Sequence, residues 1–192
     1  VSWRSLTELA APDGKVVLEE EDTITVYAPV SSDAYFMDFD LLLRARDQEV
    51  RFGKFFVGGL SIRMPWDQAQ PRQTHLNSEG LRGRAGEQKR ALWCTVERPF
   101  KVSSAKAERR PGSPAEEILG FAIFDHPRNA HHPSGWRVDE QGLINPNVSM
   151  LEDWVIPARK ERLFRYRILV YRGPAQAEML RRQYEAFVSA TR

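Results

Sequence analysis

Tyr35-Phe36-Met37-Asp38-Phe39-Asp40-Leu41-Leu42-Leu43-Arg44-Ala45-Arg46 is the stretch that decides the fold. Tyr35, Met37, Phe39, Leu41, Leu43 and Ala45 fall on one side of a two-residue period. Phe36, Asp38, Asp40, Leu42, Arg44 and Arg46 fall on the other. A period of two sustained this long predicts a strand with one buried face. Residues 161–171 repeat the pattern, with Phe164, Tyr166, Ile168 and Val170 opposite Arg165 and Arg167. Shorter runs predict strands at 15–20, 23–28, 48–52, 58–64 and 91–97, separated by turn signals such as Pro12-Asp13-Gly14. Residues 118–124 are apolar without alternation, as in a strand covered on both faces. Beyond Gly173 the period changes. Met179, Leu180, Gln183, Tyr184, Phe187 and Val188 follow at helical spacing, which predicts a helix over 174–190 opened by Pro174.

Stretches 65–89, 99–115 and 127–157 read as long loops, where functional groups concentrate. Many strands, long loops and one terminal helix predict an all-β fold: an antiparallel β-sandwich with one C-terminal α-helix, residues 1–192 forming a single domain.

Composition narrows the function classes. The 192 residues are 42% hydrophobic and 28% charged, which excludes a disordered or collagenous chain. A net charge of +2 is too small to predict a nucleic-acid or anionic-membrane partner. The apolar run at 118–124 is far short of the ~20 residues that span a bilayer. No basic start followed by an apolar stretch marks export, so the expected location is cytoplasmic. Cys94 is the only cysteine, so no internal disulfide can form. The oligomeric state is left open.

The densest polar cluster is Asp125-His126-Pro127-Arg128-Asn129-Ala130-His131-His132-Pro133, followed by Gly135-Trp136-Arg137. It begins where the buried strand must end, because Pro127 cannot donate a ladder hydrogen bond. Imidazole titrates near neutral pH and a carboxylate can orient it, so His126 or His132 with Asp125 forms a candidate acid–base pair. The opposing reading has these histidines solvated or capping backbone groups. A divalent metal at His126, His131 and His132 is a further alternative, although the spacing matches no standard zinc signature and no cofactor is expected.

Two other stretches carry candidates. In 58–64, Leu60, Ile62 and Met64 would share one strand face, leaving Gly59, Ser61 and Arg63 on the other. Small residues beside a guanidinium suit a ligand rich in oxygen; a bulge glycine and a solvent-facing arginine are the equal alternative. The loop His75-Leu76-Asn77-Ser78-Glu79-Gly80 offers His75 or Glu79 as the partner of the histidine loop. Asn77 and Ser78 there have the residue types of a turn bonded to its own backbone.

Taken in order, Phe36-Met37-Asp38-Phe39-Asp40-Leu41, Gly58-Gly59-Leu60-Ser61-Ile62-Arg63, Asn77-Ser78-Glu79-Gly80 and Ala91-Leu92-Trp93-Cys94 form a familiar series. Asp125-His126-Pro127-Arg128-Asn129, then His132-Pro133 and Trp136, and the closing Phe164 to Gly173 continue it. The whole resembles the bacterial PmoA-like family, a domain of unknown function labelled methane oxygenase. The resemblance runs from about Gly14 onward and covers the C-terminal two-thirds of such a domain, which implies a missing N-terminal part. It also implies a sandwich of the sugar-mutarotase kind and an association with sugar catabolism. Methane oxygenase activity is set aside, because that subunit is a membrane protein and no segment here spans a bilayer.

The expected function is therefore acid–base chemistry on a sugar or oxidised sugar, of isomerase, lyase or hydrolase type. His126, His132, Asp125, Glu79 and His75 are the candidate catalytic groups. Arg63, Asn77, Asn129, Trp136 and Arg137 would hold the carbohydrate, Trp136 by its apolar face. The alternative is a carbohydrate-binding or scaffold sandwich without turnover.

Overall fold

The computed structural model describes residues 1–65, 73–101 and 116–190. The strands in chain order are β1 (Ser2–Ala10), β2 (Val16–Val26), β3 (Ala34–Ala45), β4 (Val50–Phe52), β5 (Ile62–Arg63) and β6 (Thr74–Asn77). They continue with β7 (Trp93–Lys101), β8 (Glu116–Asp125), β9 (Gly135–Val138), β10 (Leu143–Asn147), β11 (Trp154–Ile156) and β12 (Glu161–Arg172). Among the described residues one α-helix, α1 (Ala177–Ala190), follows β12.

Seven strands form one antiparallel sheet in the order β1-β2-β3-β12-β8-β7-β6. The ribbons β5-β10-β9 and β11-β4 pack over one face of it. The alternation read from the sequence sorts the two faces. Leu43 and Ala45 of β3 and Phe164, Tyr166 and Ile168 of β12 enter the core shared with Trp136, Ile144 and Ile156 of the smaller layer. Leu169 and Tyr171 point the other way, where Leu180, Tyr184 and Phe187 of α1 cover them with Trp93 and Phe124. The protein is an all-β antiparallel sandwich with a helix on the outer face of its large sheet.

Several expectations change in detail. The strands expected at 15–20 and 23–28 are one continuous strand, because Glu19 to Asp22 keep ladder partners on both β1 and β3. The strand expected at 58–64 shrinks to Ile62–Arg63. Gly59 takes φ +67°, outside the pleat, and the Gly58 and Leu60 carbonyls accept from the Asn145 side chain instead of a ladder. The stretches read as loops at 65–89 and 127–157 contain β6, β9, β10 and β11. Most of the loop read at 99–115 lies outside the described residues. The helix begins at Ala177 rather than at Pro174, since the Ala175 amide donates to Glu97 at 2.6 Å before the helical ladder starts.

Among the described residues helix α1 packs on no other layer, and its apolar stripe and the outer sheet face bury each other. Leu180 lies at the centre of that contact with no exposed surface. Leu180→Ala is expected to cost about 2–5 kcal/mol in urea unfolding. A loss under about 1 kcal/mol would show that the helix does not hold the sheet face.

Candidate functional site

The histidine loop is a hydrogen-bonded knot around one carboxylate. Strand β8 delivers Asp125 into the interior with no exposed surface. Its Oδ1 accepts from Asn129 Nδ2 at 2.7 Å, and its Oδ2 from the Ser134 amide at 2.8 Å. His132 Nδ1 lies 3.1 Å from Oδ2, and its Nε2 is 3.5 Å from the Tyr184 hydroxyl of α1. Asn129 donates to the Arg165 carbonyl at 2.8 Å and accepts from the Arg165 amide at 2.7 Å, acting as one more strand residue beside β12. The Asp125 oxygens, the Asn129 amide and the His132 ring are all engaged by the protein's own backbone and side chains.

His126 is 2% exposed, its ring edge-on to Phe187, with Nδ1 accepting from the Arg128 amide at 3.1 Å. Burial and the nearby Arg165 and Arg128 charges push its pKa below the ordinary value, so it is neutral at pH 7. His131 lies at the surface end of the loop, Nδ1 3.2 Å from the Val148 carbonyl. Among the described residues no group of three metal-ligating side chains converges.

The other sequence-read residues are dispersed. Trp136 is fully buried and its indole donates to the Ala91 carbonyl at 2.8 Å, so it presents no face to a ligand. Arg63 points away from the core side taken by Ile62, bonding Gln141 and pairing with Asp139 at 3.4 Å; the structure puts it on the solvent side. Arg137 pairs with Glu87 at 2.6 Å. Asn77 Oδ1 accepts from the Glu79 and Leu81 amides, which is turn chemistry, and Glu79 itself is exposed. His75 is buried in β6, its pKa lowered chiefly by that burial against a hydrogen bond to the Leu143 backbone. Asp125, Asn129 and His132 come together; Glu79, His75 and Arg63 do not join them.

A different place has the shape of a site. Between the inner face of β2, β3 and β12 and the segment 52–61 lie two adjoining hollows of about 260 and 280 Å³. They share Glu20, Leu41, Gly59 and Tyr166. The roof is held by two buried asparagines of β10. Asn145 bonds the Gly58 and Leu60 carbonyls at 2.6 and 2.7 Å, and Asn147 bonds the Phe55 carbonyl at 2.8 Å. A side chain at Gly58 would press on Asn147, its Cβ 3.3 Å from Oδ1. Phe52 and Trp154, stacked at 4.1 Å, close one wall, and Phe55 stands half-exposed at the mouth.

Three acids line this largely apolar cleft: Glu20 and Asp22 of β2, and Asp40 of β3, which pairs with Arg165 at 3.7 Å. Strand alternation puts Glu20 and Asp22 on the face that carries Leu18 into the core. Burial, then the Asp22 charge, raises the pKa of Glu20. Burial raises that of Asp22 against a weak bond from Ser5, and its Oδ1 is buried with no hydrogen-bond partner. Tyr166 on the floor, opposite Asp125 in the ladder, has its phenol pushed well up by burial. The sequence reading missed this pair. Its signal was acids in register with Leu18 and Ile24. The larger groove of about 740 Å³ around Arg44 and Arg46 is a surface of ion pairs, with Arg44 on Glu21 and Glu161 and Arg46 on Glu19.

Residues 1–185 match the profile of a family of unknown function, DUF6807. The chain belongs to that family. No PmoA-like or methane oxygenase family is matched, which corrects the resemblance drawn from the sequence. The motifs quoted for it are, in the structure, largely strand cores and the Asp125 knot. The mutarotase and sugar-catabolism associations came with that resemblance and lose its support. No curated protein and no solved structure matches this DUF6807 chain.

Two outcomes follow. Asp125→Ala leaves the Ser134 amide and the Asn129 side chain without their buried acceptor, and is expected to cost about 2–4 kcal/mol in chemical denaturation. A change below about 0.5 kcal/mol would remove the knot from the account. In the cleft, a raised carboxyl pKa means that the folded state holds its proton more tightly than the unfolded chain does. Stability is then lost as pH rises from the ordinary carboxylate value through the folded one. Glu20→Gln removes that loss. The melting temperature of the variant relative to wild type should climb between about pH 4 and pH 7, and a flat or falling difference would contradict the assigned environment.

Proposed function

We propose that the protein acts on a neutral sugar by acid–base chemistry in the cleft between its two layers, with Glu20 and Asp22 as the proton carriers. The observation that carries this reading is the pair of half-buried carboxylates with raised pKa values on the apolar inner face of one strand. Residues two apart on a strand are separated by about 6.6 Å, so the two carboxyl groups can reach neighbouring oxygens of one small ring. A protonated carboxyl donates and a carboxylate accepts, which is what hydroxyl groups require. The apolar wall of Phe52, Trp154 and Val57 suits the C–H face of a pyranose. An oxidised, carboxylate-bearing sugar fits less well, because the cleft already holds three acids and Arg63 lies outside it.

In this reading one carboxyl protonates the ring oxygen while the other accepts the anomeric hydroxyl proton. The ring opens, and closure on the other face exchanges the anomers. Positioned proton transfer contributes roughly 10²–10⁴ in rate, enough for such an exchange and too little for unaided hydrolysis of an unactivated glycoside.

A second reading, carbohydrate binding without turnover, is favoured by one fact: the histidines expected to catalyse are engaged in the knot or buried away from the cleft. Exchange NMR on a panel of free aldoses separates the two. The acid–base reading expects faster α/β exchange, reduced at least about a hundredfold in Glu20→Gln and Asp22→Asn. Sugar binding with unchanged exchange supports the second reading. Neither binding nor exchange across the panel would overturn both.

A further inference from the structure

Among the described residues, strand β1 is the edge of the large sheet, paired on one side only, and every one of its residues is exposed. Trp3, Leu6 and Leu9 stand 48%, 62% and 41% exposed along it. A long edge with apolar side chains and no proline is a template for strand pairing unless something covers it. Its hydrogen-bonding phase is fixed by β2. The Val26 amide donates to the Val1 carbonyl at 2.7 Å, so Val1, Trp3, Ser5 and Thr7 turn their polar backbone toward β2. Arg4, Leu6 and Glu8 turn theirs outward.

We infer that this edge pairs with the same edge of a second copy of the chain, antiparallel and two-fold about Leu6. In that register Arg4 lies opposite Glu8 of the second copy, Leu6 opposite Leu6, and Glu8 opposite Arg4. These three have outward backbone groups, so they form closely bonded pairs, about six hydrogen bonds in all. The other face matches too: Trp3 meets Leu9, and Ser5 meets Thr7. Sliding the register by two residues in either direction sets charged residues against Leu6 and removes both ion pairs. Self-complementarity of this kind is what a two-fold interface requires. Opposite charges set directly across a ladder stabilise it, and like charges destabilise it.

The pairing also reaches the cleft. Leu9 lines the apolar hollow, on the same sheet face as Glu20 through the β1–β2 ladder. Trp3 of the second copy, directly across from Leu9, then stands at the mouth of that hollow. Each copy lends the other an aromatic side chain there. The pairing rests on the strand edge alone and is measured without ligand, so its fate and that of the sugar reading are separate.

Sedimentation velocity over a dilution series tests it. Wild type is expected to move from twice the chain mass toward one chain mass on dilution. Arg4→Glu and Glu8→Arg each set like charges opposite at two places and should weaken the dimer by about tenfold or more. The combined Arg4→Glu/Glu8→Arg chain should return to within about threefold of wild type, which loss of the intramolecular Arg4–Glu21 pair at 2.7 Å cannot explain. Leu6→Lys, at an exposed site where folding is unaffected, should leave single chains with an unchanged circular dichroism spectrum. The inference is overturned by a wild type that is monomeric throughout. It is equally overturned by a dimer indifferent to these variants, or by a double variant no better than the singles.

Discussion

Burial of the Asp125 carboxylate is the constraint on which the two layers depend. A carboxylate without exposed surface is tolerated only when its oxygens are saturated with donors, and the chain from Asn129 to Ser134 bends back to supply them. That bend turns the chain from the end of β8 in the large sheet toward β9 in the smaller layer. Asn129 adds two bonds to the backbone of β12, so the turn is stitched to the sheet it leaves. Tyr184 of α1 meets His132 on the other side, which brings the helix to the same point. The residues with the most conspicuous chemistry in the sequence are thus those that join sheet, smaller layer and helix.

The cleft is a consequence of that joining. Once β10 lies over the large sheet, Asn145 and Asn147 hold segment 52–61 by its carbonyls, and Gly59 turns the chain with a positive φ. The gap beneath this roof exposes the inner face of β2 near the sheet edge, where Glu20 and Asp22 replace the expected apolar residues. Two acids on a core-facing register cost stability at neutral pH, and nothing in the packing requires them. A stability cost placed at a cavity, with no ion pair to Glu20 or Asp22 among the described residues, is the physical argument for function there.

The fold was legible where one periodicity ran long. Residues 34–45 and 161–172 each bury one face against a full layer, so alternation survives in their side chains. The pieces from Gly135 to Ile156 are three to five residues long, and Pro146 sits inside one of them. Strands that short show no measurable period. The site was legible only in part. Proximity of Asp125, Asn129 and His132 could be read from their crowding in the chain, but their saturation could not, because it depends on Ser134, Arg165 and Tyr184. Trp136 was read as a platform for its apolar face and its place in the polar loop, yet its indole sits in the core between the layers. Glu20 and Asp22 were hidden by an acidic run that reads as a solvated face until the register of Leu18 is known.

The claim that the cleft carboxyls are set for proton transfer is tested most directly by carbon-detected NMR titration of the Glu20 and Asp22 carboxyl groups in the intact protein. Both midpoints should lie above the ordinary glutamate and aspartate values, and Asp22→Asn should bring the Glu20 midpoint down by removing the neighbouring charge. Midpoints at or below the ordinary values for both groups would contradict the account.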